Sequence, residues 1–180
     1  MKKILIPATA FLALSFLANA QNTILEARGK AVGTVVTVKG IATNGSELGI
    51  IRYMQDGTAG IAAYGATLNP VLRGDSITVT GTIKNYNQLI ELDPLTTVVV
   101  RSTGNPLPAP IALTPGQLTE PYESMLVKVS NVIFADAGGV FTQKKYLFTA
   151  NGESGYIYVK SSQTDIVGQP IPSGLVSITG

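Results

Sequence analysis

Two carboxylates, Glu91 and Asp93, stand two residues apart. On an extended strand that spacing puts both on one face. Paired carboxylates can carry out glycoside hydrolysis or hold a metal ion. Pro94 follows them, and a solvated strand end is the plainer account of the same residues. Other chemistries are excluded by composition. The chain has no His and no Cys, which removes Ser-His-Asp and Cys-His nucleophilic sites and zinc sites built on those ligands. It has no phosphate-binding glycine loop and no D-x-D-x-D-G calcium loop. Asp56 and Asp75 stand beside glycines, where aspartate forms turns. Glu120 and Glu123 flank Pro121-Tyr122 in a connector. Lys160 and Ser161 are adjacent, so on a strand they point to opposite faces. The sequence therefore predicts no catalytic residues, no metal site and no cofactor.

Aromatic and basic residues remain, and bases stack on aromatic rings while cations follow phosphates. Their positions depend on the elements that carry them. The composition is rich in Val, Ile, Leu and Thr, with 19 Gly and 10 Pro, as expected for many short strands joined by turns. Val36 to Thr43 alternates in character. Ile50–Gln55 and Gly60–Tyr64 flank Asp56-Gly57-Thr58-Ala59, a hairpin signal. Ile77 to Lys84 has the clearest period of two. Asn85-Tyr86-Asn87 turns the chain, Leu89–Leu92 returns, and Thr96–Arg101 closes the set. No segment after residue 20 has a helical period. Residues 67–73 hold at most one helical turn, because Pro70 lies inside.

The N-terminus reads as a secretory signal peptide. Lys2 and Lys3 precede an apolar run from Ile4 to Ala18, and Ala18-Asn19-Ala20 follows as a cleavage site. The run is too short for a comfortable membrane span, and no later segment is a candidate. The chain is thus expected to be exported, to the periplasm, the cell surface or the medium. The full chain carries 13 basic and 11 acidic residues. Loss of Lys2 and Lys3 leaves 11 of each, so the mature protein is formally neutral and lacks the basic excess of strong nonspecific nucleic-acid binders.

Four units follow from these signals. Residues 1–20 are the signal peptide, and 21–103 form a first β unit. Residues 104–124, holding Pro106, Pro108, Pro110 and Pro115, form an extended connector rather than a sheet element. Residues 125–180 form a second unit that repeats the first. Val36-Thr37-Val38-Lys39-Gly40-Ile41 matches Val127-Lys128-Val129-Ser130-Asn131-Val132. Tyr53 to Tyr64 matches Tyr146 to Tyr158. Ile77-Thr78-Val79-Thr80-Gly81 matches Val176-Ser177-Ile178-Thr179-Gly180. The first unit continues for about twenty residues past Gly81. The second therefore lacks a closing strand, to be supplied by chain beyond Gly180 or by another domain or chain, since open sheet edges invite pairing.

The segments Val35–Thr43, Ile51–Ile61 (with Gln55-Asp56-Gly57-Thr58-Ala59-Gly60-Ile61) and Gly74–Gly81 (Gly74-Asp75-Ser76-Ile77-Thr78-Val79-Thr80-Gly81) resemble the OB-fold domains of exported bacterial proteins. Such domains accompany extracellular nucleases and phosphoesterases. The resemblance covers residues 31–101 well and 125–180 loosely. It implies an all-β protein: a five-stranded Greek-key barrel followed by a partial OB-like unit. It also implies that any nuclease centre lies in a different domain. An OB barrel binds oligonucleotides or oligosaccharides on strands 2 and 3 and nearby loops. The candidate ligand residues are then Arg52, Tyr53 and Tyr64 on those strands, and Lys84 and Tyr86 near the later hairpin. In the second unit they are Lys144, Tyr146, Tyr156, Tyr158 and Lys160, with Lys145 beside them. Tyr156 and Tyr158 share a face, as do Tyr158 and Lys160. The expected function is a noncatalytic module binding single-stranded nucleic acid weakly. A glycan- or protein-binding envelope module, or a noncatalytic part of a larger secreted nuclease or phosphoesterase, stands as the alternative.

Overall fold

The computed structural model describes residues 21–180. The expected signal peptide lies outside the described residues. Among the described residues, no helix is long and apolar enough to cross a membrane. The chain is nearly all β, as expected, with one short helix.

That helix, α1 (Ile24–Arg28), has no counterpart in the sequence expectations. Five residues are too few to show a period. The signal for it was a capping box, Thr23-Ile24-Leu25-Glu26. Thr23 Oγ1 accepts from the Glu26 N–H at 3.2 Å, and the Glu26 carboxylate accepts from the Thr23 N–H at 2.9 Å. Ile24 and Ala27 are buried against the barrel.

Five strands close the first unit: β1 (Val35–Ala42), β2 (Ile51–Gln55), β3 (Gly60–Tyr64), β4 (Ser76–Tyr86) and β5 (Leu89–Ser102). Their order around the barrel is β1-β2-β3-β5-β4, and β4 returns to β1. Only β3 and β5 run parallel. The two segments expected at 89–92 and 96–101 are one strand. Pro94 sits where the β4–β5 register shifts, between the Gly81–Leu95 and Ile83–Leu92 pairs, and a bulge is where a strand tolerates a residue without an N–H. The hairpin before β5 turns at Asn87 and Gln88, both at positive φ. Residues 66–68 form the single 3₁₀ turn that Pro70 allowed. Inward residues such as Val38, Met54, Ile61, Ile77 and Val79 fill the core.

Asp56 ties α1 to the β2–β3 turn. Its carboxylate accepts from the N–H groups of Ile24 (2.9 Å), Thr58 (2.7 Å) and Ala59 (3.0 Å), and from the Thr58 hydroxyl (2.6 Å). Burial pushes its pKa up, but these hydrogen bonds outweigh burial and hold it below the usual carboxylate range. A depressed folded-state pKa adds stability above the unfolded value, near 4, that is lost as pH falls through the folded one. Asp56→Ala is expected to destabilise by about 1–3 kcal/mol at pH 7 by stranding these donors. It also flattens the acid limb of a stability profile recorded by urea unfolding from pH 7 to 2. An unchanged acid limb counts against this role.

The second sheet holds β6 (Ile111–Ala112), β7 (Val127–Phe134), β8 (Lys145–Ala150), β9 (Glu153–Tyr158) and β10 (Val176–Thr179). The order is β10-β7-β8-β9. It repeats the first unit strand for strand, β7 to β10 corresponding to β1 to β4. The connector departs from expectation. Ile111 and Ala112 pair in parallel with Val127 and Lys128, because the stretch between Pro110 and Pro115 leaves enough free N–H groups for a two-residue ladder. A separate aromatic cluster of Phe134, Phe141, Tyr146 and Phe148 packs on the inner side of this sheet. Three of its contacts are edge-to-face, with ring centroids 5.0–6.2 Å apart.

Candidate functional site

The outer side of β2 and β3 in the first unit carries Tyr53, Ala62 and Tyr64, read from the Tyr53–Ala62 and Ile51–Tyr64 pairs. The connector lies over it. A Cβ on Gly60 would stand 2.3 Å from the Ser124 carbonyl oxygen. Leu126 N–H donates to the Gln55 side chain at 2.9 Å, and Ile90 N–H donates to Glu123 at 3.2 Å. Arg28 secures the arrangement. It donates to Gly60 O (3.0 Å) and Glu123 (3.1 Å) and pairs with Glu120. Ala62, though outward, is fully buried.

The covered face is also acidic. Burial pushes the Tyr53 phenol pKa up, and the carboxylates of Glu123 and Glu91 push it further. Glu91 and Asp93 do share a face, and Lys84 bridges them, 3.6 Å from Glu91 and 2.6 Å from Asp93. Glu91 is itself raised, by burial first, with Lys84 opposing. Lys84 is held in its charged form by the hydrogen bond to Asp93. A charge committed in this way is a poor phosphate contact. Among the described residues, no group of three or more carboxylates is placed to hold a metal ion.

Arg52 is not on the surface. It points into the barrel with no exposed area. Its Nε donates to Val71 O at 3.0 Å, and one terminal nitrogen donates to Gly49 O (2.7 Å) and Ile51 O (2.9 Å). Tyr146 is likewise fully buried, and its hydroxyl donates to Thr142 O at 3.2 Å. These two are counterparts. The sequence alignment matched Tyr146 to Tyr53, one residue out of step, and a one-residue slip exchanges the faces of a strand. In the observed registers Tyr156 opposes Leu147 as Ala62 opposes Tyr53. Leu147 is therefore the counterpart of Tyr53.

The remaining candidates separate by position. Tyr64 and Tyr86 are exposed in the first unit, with Lys84 above the Tyr86 ring at 5.3 Å. Lys144 pairs with Asp136 at 2.7 Å. Lys160 does not join Tyr158, since its ammonium donates to Leu48 O of the first unit at 3.1 Å.

Tyr156 and Tyr158 are exposed as expected, at 59% and 55%. They stand on the outer side of β9, in rows with Leu147 and Lys145 of β8. Lys145 Nζ lies 4.2 Å from the Tyr156 ring centroid, a diagonal cross-strand contact. Ile133 on β7 extends the patch beside Thr149. Leu147 and Ile133, both exposed, were missed by sequence reasoning. The alternation of Lys145-Tyr146-Leu147-Phe148-Thr149-Ala150, with the aromatics inward, was the signal that could have found Leu147. Among the described residues, no connector crosses this face in the way residues 120–126 cross the first.

The strand order of the first unit and its single parallel pair define an OB-like β-barrel protein. No family profile matches the chain. It is similar to endonuclease YhcR of Bacillus subtilis (strain 168), 37% identical over 141 residues that cover 68% of this chain and 11% of that protein. The chain thus spans a small part of the relative's length.

Proposed function

We propose that this chain is a noncatalytic binding module of an exported protein, and that it takes single-stranded nucleic acid on the outer face of β8 and β9. The observation that carries the reading is the exposed pair Tyr156 and Tyr158, two residues apart and flanked by Lys145. Strands 2 and 3 are where OB barrels bind oligonucleotides, and β8 and β9 are those strands in the second unit. The similarity to a protein named endonuclease favours a nucleic acid over a glycan. As a part of a larger nuclease-like protein, the module would hold substrate for chemistry performed elsewhere. With one uncommitted lysine beside the rings, affinity is low and falls with salt.

Anisotropy of a labelled single-stranded oligonucleotide, titrated with the protein at low and moderate salt, tests this. Stacking is worth about 1–3 kcal/mol per base. Tyr156→Ala with Tyr158→Ala is therefore expected to weaken binding by roughly two orders of magnitude, with little change in folding because both side chains are exposed. Absence of binding at low salt, or binding indifferent to the double substitution, overturns the reading. Salt-independent binding of an oligosaccharide would instead support the glycan alternative.

A further inference from the structure

The first barrel closes because β5 lies between β3 and β4. Ala62 of β3 pairs in parallel with Glu91, and Thr80 of β4 pairs antiparallel with Thr97. Their counterparts in the second unit are Tyr156 on β9 and Thr179 on β10.

The backbone of both counterparts faces an open edge. Val159 N–H donates to Lys144 O at 3.0 Å. In an antiparallel ladder, bonding alternates along the strand, so Tyr156 directs its N–H and C=O away from β8. Val127 and Gly180 exchange bonds of 2.8 and 3.1 Å, so Thr179 points away from β7. Among the described residues, no strand pairs with these edges. The Tyr156 side chain belongs to the outer face, while its backbone belongs to this edge.

Between the edges lies a cleft of about 590 Å³. Val129, Phe134, Phe148, Ile157, Val176 and Ile178 line it. In the first unit the same space is filled from β5 by Ile90, Leu92, Leu95 and Val98. An apolar trough between two strand edges matches an extended segment better than a compact ligand, because the segment satisfies both edges while burying side chains at alternate positions. The described strands are already engaged. β1 to β5 close the first barrel, and β6 lies against β7. Among the described residues, a second copy has therefore no spare strand to donate.

We propose that this cleft is a strand acceptor. It takes an extended polypeptide segment from outside residues 21–180, with apolar residues at alternate positions. The segment runs parallel to β9 and antiparallel to β10, and closes a second barrel.

The probe is a labelled synthetic peptide with the sequence of Leu89–Ser102, titrated into the full chain. Saturable binding is expected, with at least tenfold slower hydrogen exchange at the Tyr156 and Thr179 amides. The same peptide carrying Ile90→Asp and Leu92→Asp is expected to bind at least tenfold more weakly. In case the free peptide aggregates, a second copy of residues 82–102 appended after Gly180 tests the same geometry. It is expected to raise the melting temperature and protect the same two amides. Failure of both forms to protect them overturns the proposal. So does protection that depends on protein concentration without peptide, which would make a second copy the occupant. So does an apolar dye that fills the cleft and is not displaced by the peptide. The result is independent of the nucleic-acid reading, since Tyr156→Ala with Tyr158→Ala alters the outer side chains and leaves the backbone edge in place.

Discussion

Replacing Arg52 with alanine is expected to lower the unfolding free energy by about 2–4 kcal/mol, through buried carbonyls left without a donor and the cavity that opens, offset in part because one terminal nitrogen of the buried guanidinium has no partner to lose. Arg52 is the largest fully buried side chain among the described residues. Its three hydrogen bonds join the loop before β2, through Gly49, to the loop before β4, through Val71. Alanine leaves those carbonyls without donors and opens a cavity the length of the side chain. Arg52→Met refills much of the cavity but restores no donor, so it falls between alanine and the wild type. Arg52→Lys keeps the charge with a single nitrogen in place of the guanidinium fork, and cannot span both loops. Urea unfolding of the three variants reads the order directly. A loss below about 1 kcal/mol for alanine would mean that water or a rearranged loop replaces the guanidinium.

Gly60→Ala is expected to cost about 3 kcal/mol, at the upper end for overpacking, because the obstruction is backbone. The added methyl carbon would lie 2.3 Å from Ser124 O and 2.7 Å from Met125 N. Neither atom can rotate away, so the connector itself must lift. Lifting it breaks the Leu126–Gln55 bond and moves Glu123 away from Arg28 and Ile90. Two readouts distinguish this from general destabilisation. Exchange at the Leu126 amide accelerates more than exchange in the β1–β4 ladder, and Tyr53 becomes accessible to quencher. Uniform acceleration across the barrel would falsify the local account.

The two substitutions fall on opposite sides of one strand pair and expose different dependencies. Arg52 acts inside the barrel and holds loops together. Gly60 acts outside it and decides whether the outer face of β2 and β3 is covered. That face is where an OB barrel ordinarily meets its ligand. In this chain it is occupied by residues 120–126, which bring carboxylates with them. The second unit keeps the corresponding face open, with Tyr156 and Tyr158 exposed on it.

The sequence by itself located the strand segments of the first unit, though it divided β5 in two. Each strand of the first unit shows alternation or turn chemistry within ten residues, and such signals are local. It also determined that Tyr156 and Tyr158 share a side, since their spacing is two. The open second unit was legible too, from the segment that follows Gly81 and has no counterpart before residue 180. What it left undecided was which side of each strand faces in. Arg52 looked like a surface cation, and Tyr146 like the partner of Tyr53. Both are core residues: Arg52 is adjacent to Tyr53 and so faces the other side of β2, and the repeat alignment placed Tyr146 one residue out of step across turns of unequal length. The covering of Tyr53, the capture of Lys160 by Leu48 and the pairing of Ile111–Ala112 with β7 were also invisible. Each is a contact between segments far apart in the chain, and no local period reports which distant segment will lie across a face. Tertiary structure decided them, because burial and hydrogen-bond satisfaction are settled where segments meet in space.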